Sequence, residues 1–221
     1  MPARIVPDGP TGRDEAIAVL EAGGLIAFPT DTVYGLGVAR GTPNGIERLF
    51  AAKGRPPDRA IVLLLADADQ ATGIATLTPA GAALAAAFWP GGLTIVLPRR
   101  PDGAVRIALT TDPASEAPET VGLRVPDHPA PRAIARALGA LPTTSANRSG
   151  EPEARDAAEI EARLGAALDL ILDAGPAAGG PPSTVVDATG ATVRILRRGA
   201  VPDAEIARVL QDAGLPEPVG R

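Results

Sequence analysis

Of the 21 Lys and Arg residues in the chain, twenty are arginine, and the exception is Lys53 in the run Lys53-Gly54-Arg55. An ammonium is a compact charge on a flexible stem, whereas a guanidinium is a planar fork of fixed donors. Side by side they suit a polyphosphate, lysine acting as a point charge and arginine as a bidentate clamp. Spacing alone leaves a second role equally open for Lys53, which is to complement the negative C-terminal end of its own helix. Lys53 and Arg55 stand two apart, as do Ser145 and Asn147, and in an extended segment such pairs face the same way. Other rare residue types mark where else to look. Tyr34, Trp89 and His128 occur once each, the two asparagines are Asn44 and Asn147, and serine occurs only at 115, 145, 149 and 183. Four polar stretches collect most of them: PTDTVYGLG (29–37), KGRP (53–56), TTSANRSG (143–150) and STVVD (183–187). Read singly, Tyr34 is expected to pack in the core and Trp89 to anchor a helix end before Pro90-Gly91-Gly92. His128 is expected in an exposed loop.

These residues need a frame, and the pattern predicts one in which helices and strands alternate. A helix is expected over 14–22, closed by Gly23-Gly24, and a short apolar strand over 25–28. Thr42 is expected to cap a helix with Pro43 at its first position, running to residue 52 or 53 with Gly54 as a left-handed stop. Residues 61–65 read as a strand buried on both faces. Thr78-Pro79 opens an alanine-rich helix to residue 89, followed by a strand over 93–97. Residues 101–119 read as a long surface loop. Strands at 121–125, 141–147 and 168–172 alternate with helices at 131–138 and 156–164. Segments 184–187 and 192–196 form a hairpin, and a helix at 202–213 closes the pattern. The expectation is a single α/β domain, a twisted mixed parallel and antiparallel sheet flanked by helices, over residues 10–213. A short tail at 214–221 is expected to fray. The polar stretches fall at strand ends, where open sheets of this class form their ligand crevice.

Composition removes several functional classes. A chain of 221 residues, 45% hydrophobic, can bury a core as one large or two small domains. No apolar run reaches the roughly 18 residues needed to span a membrane, and the N-terminus lacks a signal-peptide core, so a soluble cytoplasmic protein with no membrane partner is expected. With no cysteine there is neither a disulfide nor a thiolate metal site, and a single histidine precludes a multi-histidine one. The net charge of −5 means that the surface as a whole does not attract nucleic acid, although a local basic pocket remains possible. Common nucleotide and hydrolase motifs are missing. There is no P-loop, G-x-S-x-G or H-E-x-x-H, and Gly35-Leu36-Gly37 meets Arg40 where a dinucleotide fingerprint has its third glycine.

Seven stretches together resemble the YrdC/TsaC-like L-threonylcarbamoyladenylate synthases: FPTDTVYGLG, KGRPPDRAIVLLLAD, FWPGGLTIVLPRR, VGLRVPDHP, TTSANRSGEP, STVVD and RILRRG. They span about residues 10 to 213, and the pairing of K-x-R-P with a later S-x-N is specific to the family and its relatives. The resemblance implies a YrdC-like fold with a concave cleft. It also implies a reaction that joins L-threonine, bicarbonate and ATP into threonylcarbamoyl-AMP and pyrophosphate, with Mg²⁺ accompanying ATP. The product then serves the modification of adenosine beside the tRNA anticodon, through threonylcarbamoyl transferase proteins acting downstream; transient contact with tRNA itself is left open. On this resemblance Lys53, Arg55, Ser145 and Asn147 are the catalytic set at the nucleotide, with Thr120 and Arg197 also on the ATP side. Thr30, Arg124, Thr143 and Ser183 hold threonine, Arg124 being suited to pair the carboxylate bidentately. No protein residue is assigned to a metal. Asp31 either reads the same site or caps the turn after its strand.

The chain departs from the family in two places and resembles its short form. Leu64 stands near a position where some longer members carry a threonine-binding histidine. Glu153 stands where many have a small hydroxyl residue on the phosphate side. Two alternatives accompany the synthase reading: an RNA-binding or ribosome-associated module of the same fold, and a relative that handles carbamoyl-adenylate.

Overall fold

The computed structural model describes residues 3–54, 61–100, 119–177 and 179–220. Arg55 and residues 101–118 of the expected loop lie outside the described residues. In chain order the elements are β1 (Arg4–Pro7), α1 (Pro10–Glu21), β2 (Leu25–Phe28), β3 (Gly35–Val38), α2 (Gly45–Lys53) and β4 (Val62–Leu64). Then come α3 (Asp69–Thr72), α4 (Pro79–Phe88), β5 (Leu93–Pro98), β6 (Thr120–Arg124), α5 (Pro129–Leu138) and β7 (Leu141–Ser145). The chain continues through α6 (Ala157–Leu164), β8 (Leu170–Asp173), β9 (Thr184–Asp187), β10 (Arg194–Arg197), α7 (Asp203–Asp212) and β11 (Val219–Gly220). The strands form one mixed sheet in the order β1-β8-β2-β3-β7-β4-β6-β5-β9-β10-β11. This is the α/β class expected from the sequence.

Local chemistry sets several of the helix ends. Gly54 adopts a left-handed conformation (φ 59°) and stops α2 after Lys53. Thr78 Oγ1 accepts from the Gly81 amide at 3.0 Å and caps α4, and Asp156 Oδ1 accepts from the Glu159 amide at 2.9 Å and caps α6. The start of α2 differs from expectation. Thr42 does not cap it; its carbonyl accepts from the Gly45 amide, with Pro43 next and Asn44 left-handed (φ 52°). Thr-Pro-Asn-Gly therefore makes a turn of the type II pattern, and the helix begins only at Gly45. His128 also differs. It is half-buried, and its Nδ1 accepts from the Ala130 amide at 3.2 Å, so it caps α5, which starts at Pro129.

Strand β3 is hidden in the sequence because two of its four residues are glycine. A Cβ at Gly37 would lie 2.8 Å from Phe28 Cε1, and one at Gly35 would lie 3.1 Å from Phe28 Cε2. The glycines thus give the Phe28 ring room to lie across β3. The segment after Gly214 is not frayed within its described residues: Leu215 packs against the core, and β11 pairs in parallel with β10, Arg194 opposite Val219.

Two hydrophobic layers cover the sheet. Leu25 and Ala27 of β2 face the larger one, which gathers apolar residues of α2, α4, α6 and α7. Ile26 and Phe28 face the other, built with Ala16 and Leu20 of α1 and Ala130 and Ile134 of α5. This second layer covers its face over β8 and β2 and reaches the Leu141 end of β7 and Leu64 of β4. Further along the sheet, on the same face, polar side chains take over.

Candidate active site

Strand register brings the polar residues together. Phe28 is paired with Gly35, Gly35 with Ser145, Thr143 with Val62, and Leu64 with Arg124. Directly paired residues share a face, so Ser145, Thr143 and Arg124 project where Phe28 does, beyond the reach of α1 and α5. Thr94 of β5 completes the row, its Oγ1 2.9 Å from Ser183 Oγ at the start of β9. The resulting cleft of about 140 Å³ is lined by Thr30, Thr143, Ser145, Ser183, Arg124 and Arg197, with Val62 and Leu64 as an apolar floor. That is about ten times the space one water needs, enough for a small organic ligand.

Lys53 stands at one end of this cleft. Only 3% exposed, its Nζ donates to Ser145 O, to Ser145 Oγ at 3.2 Å and to Asn147 Oδ1 at 3.0 Å. Ser145 Oγ also donates to Asn147 Oδ1 at 2.6 Å, and Asn147 Nδ2 donates to Arg148 O and Glu151 O. The Ser149 amide donates to Lys53 O, so the end of α2 and the loop after β7 are tied in both directions. Lys53 and Asn147 therefore meet Ser145, as expected, but Lys53 does so from a helix end. The expected extended Lys53–Arg55 face is broken at Gly54, which ends the helix left-handed.

Arg124 forms the opposite end. It is 6% exposed, and its Nε donates to Gly91 O at 2.9 Å, its Nη1 to Thr32 Oγ1 at 3.0 Å and its Nη2 to Asp31 Oδ1 at 2.7 Å. Burial lowers its guanidinium from the ordinary value and Asp31 pulls it back up. Thr30 Oγ1 donates to Val33 O at 2.6 Å, leaving it to accept from Thr32 Oγ1 at 3.2 Å. Arg197 donates through Nε and Nη2 to Ser183 O, and through Nη2 to Ser183 Oγ at 3.0 Å. Burial lowers the Arg197 guanidinium, Glu153 raises it, and Arg124 lowers it further, so the two arginines share one electrostatic environment.

Of the expected site residues, Thr30, Arg124, Thr143, Ser145, Ser183 and Arg197 line the cleft, and Lys53 and Asn147 adjoin it through Ser145. Thr120 does not line it; it is exposed at the start of β6, on the Arg124 face but four residues away. Leu64 sits on the floor. Sequence reasoning missed Thr94, whose only signal is a hydroxyl in the apolar run LTIVL, and Thr32. It read Tyr34 as packing alone. Tyr34 is buried, yet it also lines the cleft, and its hydroxyl donates to Gly175 O at 2.7 Å and accepts from the Ala174 amide at 3.1 Å.

The Sua5_yciO_yrdC family model, described as "Telomere recombination", matches residues 18–199. The chain belongs to the Sua5/YciO/YrdC family. Among curated members of that family, a putative threonylcarbamoyl-AMP synthase of Mycobacterium tuberculosis (strain ATCC 25618 / H37Rv) is 39% identical over 200 residues, covering 90% of this chain and 89% of the relative. Among solved members, the crystal structure of Pyrococcus abyssi Sua5 complexed with L-threonine superposes with a TM-score of 0.84 at 30% identity, over 100% of this chain. The chain accounts for 63% of the length of that Sua5 structure. Escherichia coli YciO superposes with a TM-score of 0.79 at 28% identity, covering 90% of this chain and 97% of YciO.

Proposed function

We propose that the chain is an ATP-dependent L-threonylcarbamoyladenylate synthase, a nucleotidyltransferase that joins L-threonine, bicarbonate and ATP into threonylcarbamoyl-AMP and pyrophosphate. The observation that carries this reading is the cleft itself. The buried Arg124, together with Arg197 and the hydroxyl-bearing Thr30, Thr94, Thr143, Ser145 and Ser183, lines a single small pocket, next to a lysine fastened to Ser145 and Asn147. Its support among relatives is the M. tuberculosis protein, similar over nearly its whole length.

The chemistry assigns work to each part. Bicarbonate gives up hydroxide as CO2 forms, the threonine amine adds to the CO2 and loses a proton, and that hydroxide and proton leave as water; an oxygen of the resulting carbamate attacks the α-phosphorus of ATP. The bond from that phosphorus to the bridging oxygen breaks, and pyrophosphate leaves. Little covalent work falls to the protein, so catalysis is positioning and charge neutralisation. Arg124 pairs the threonine carboxylate, while Thr30, Thr143 and Ser183 hold the rest of the amino acid. Lys53, Ser145 and Asn147 serve the nucleotide together with Arg197, and the family resemblance assigns Arg55 and Thr120 to ATP as well. Mg²⁺ arrives on the polyphosphate of its ATP substrate, as ions of this kind commonly do. Among the described residues no group of three His, Asp or Glu side chains could hold an ion. The product would pass to threonylcarbamoyl transferase proteins acting on tRNA.

Pyrophosphate release from ATP by the purified protein tests the reading, with threonine omitted from one reaction and bicarbonate from another. Release that depends on both is expected. Release indifferent to either omission would sink the synthase assignment.

A further inference from the structure

Arg124 is gripped from behind by two separate segments. Asp31 and Thr32 belong to the loop after β2, and Gly91 to the turn between α4 and β5. A guanidinium has five N–H groups. Three are used here, one on each nitrogen, which leaves one proton on Nη1 and one on Nη2. Arg124 also lines the cleft, so these remaining protons are the ones available to a carboxylate bound there. Of the three acceptors behind Arg124 only Asp31 is charged, and its bond is the shortest at 2.7 Å. Asp31 itself does not line the main cleft. It opens on a separate hollow bounded by Pro29, Asp127, His128 and Gly175, on the far side of Thr30 and Tyr34. A ligand in the cleft therefore meets Asp31 only through Arg124.

We infer that Asp31 is a positioning residue that aims the Arg124 fork at the amino-acid carboxylate and thereby sets affinity for the amino acid. This rests on the proposed role of Arg124. A guanidinium buried without its carboxylate loses its charge partner and one of the three bonds that orient it. The two neutral acceptors remain, but they do not compensate the charge. The consequence is specific to one substrate, because Lys53, Ser145 and Asn147 are anchored independently of Asp31.

The test is steady-state pyrophosphate release by the intact chain, with L-threonine and with L-threoninamide, which lacks the carboxylate. Asp31→Ala should raise KM for threonine about tenfold or more while KM for ATP stays within about twofold, as expected for a lost charge-assisted contact. Discrimination between threonine and threoninamide should fall by a similar factor. Asp31→Asn, which keeps an acceptor oxygen without the charge, should lie between wild type and Asp31→Ala, and it serves alone should Asp31→Ala fail to fold. Equal rises in both KM values, or unchanged discrimination, would show Asp31 to be merely structural. Arg124→Gln separates the two levels of the argument. If it raises KM for threonine while the Asp31 variants do not, the positioning role alone is wrong. If Arg124→Gln leaves that KM unchanged, the carboxylate role of Arg124 is wrong and the role of Asp31 goes with it.

Discussion

Lys53 is the residue whose identity the surroundings specify most tightly. Its acceptors, Ser145 O, Ser145 Oγ and Asn147 Oδ1, converge on one nitrogen. A tetrahedral ammonium donates toward three such points, while a planar guanidinium spreads its donors over a wider fork. Lys53→Arg should therefore lower the rate of adenylate formation by about 100-fold or more, worth about 2.7 kcal/mol of transition-state stabilisation, with circular dichroism unchanged. Full activity would mean that any cation serves. His128 supports a second prediction. Burial lowers its pKa from the ordinary value, chiefly opposed by Asp8, and its Nδ1 accepts a hydrogen bond, which requires the neutral ring. Below about pH 6.5 the unfolded chain takes up the proton before the folded one does. The stabilising contribution is thus present above that pH and declines as pH falls through it. Thermal melts should show wild type losing stability from pH 7 to pH 5. His128→Asn, which retains a capping oxygen and cannot titrate, should show a flatter profile. Parallel profiles would remove His128 as the cause.

At the level of elements, β3 is made by a packing relation rather than by strand propensity. Gly37→Ala would place a methyl 2.8 Å from the Phe28 ring. An overpacking penalty of about 1–3 kcal/mol is expected, read as a lower denaturant midpoint. An unchanged midpoint would mean that the ring can move aside. The same relation explains what could be read from the sequence. Gly54 and Thr78 act within one turn of their own helices, so that stop and that cap are legible locally. Asn44 is not, because Thr-Pro-Asn-Gly satisfies both a cap rule and a turn rule, and the left-handed turn prevails. Strand β3 lacked side chains that could show a period, and its cause, Phe28, lies on another strand. In the site, residue rarity pointed to Lys53, Ser145 and Asn147 across 94 residues of separation between Lys53 and Asn147. Rarity gave no help with Thr94, one threonine among many, whose place follows from the pairing of β5 with β6 and β9.

Across the whole molecule, one sheet face serves two ends: α1 and α5 cover part of it, and the part they leave is the cleft. The edge of the sheet also contributes. Deleting residues 215–221 removes β11 and the Leu215 contact with the core, and should lower Tm by a few degrees, since about 1 kcal/mol corresponds to roughly 2–4 °C in a chain of this size. An unaltered Tm would make that strand dispensable. The turn that carries Gly91 has a further consequence. Trp89 closes α4 and donates from Nε1 to Leu93 O at 2.8 Å, two residues before the carbonyl that receives Arg124 Nε. It is the only indole in a chain with a single tyrosine, so its fluorescence reports on one place alone. Nature has left an optical probe in the turn that grips Arg124; if Arg124 holds the amino acid as proposed, its emission should shift when threonine is added, and emission that does not respond would separate the turn from the ligand.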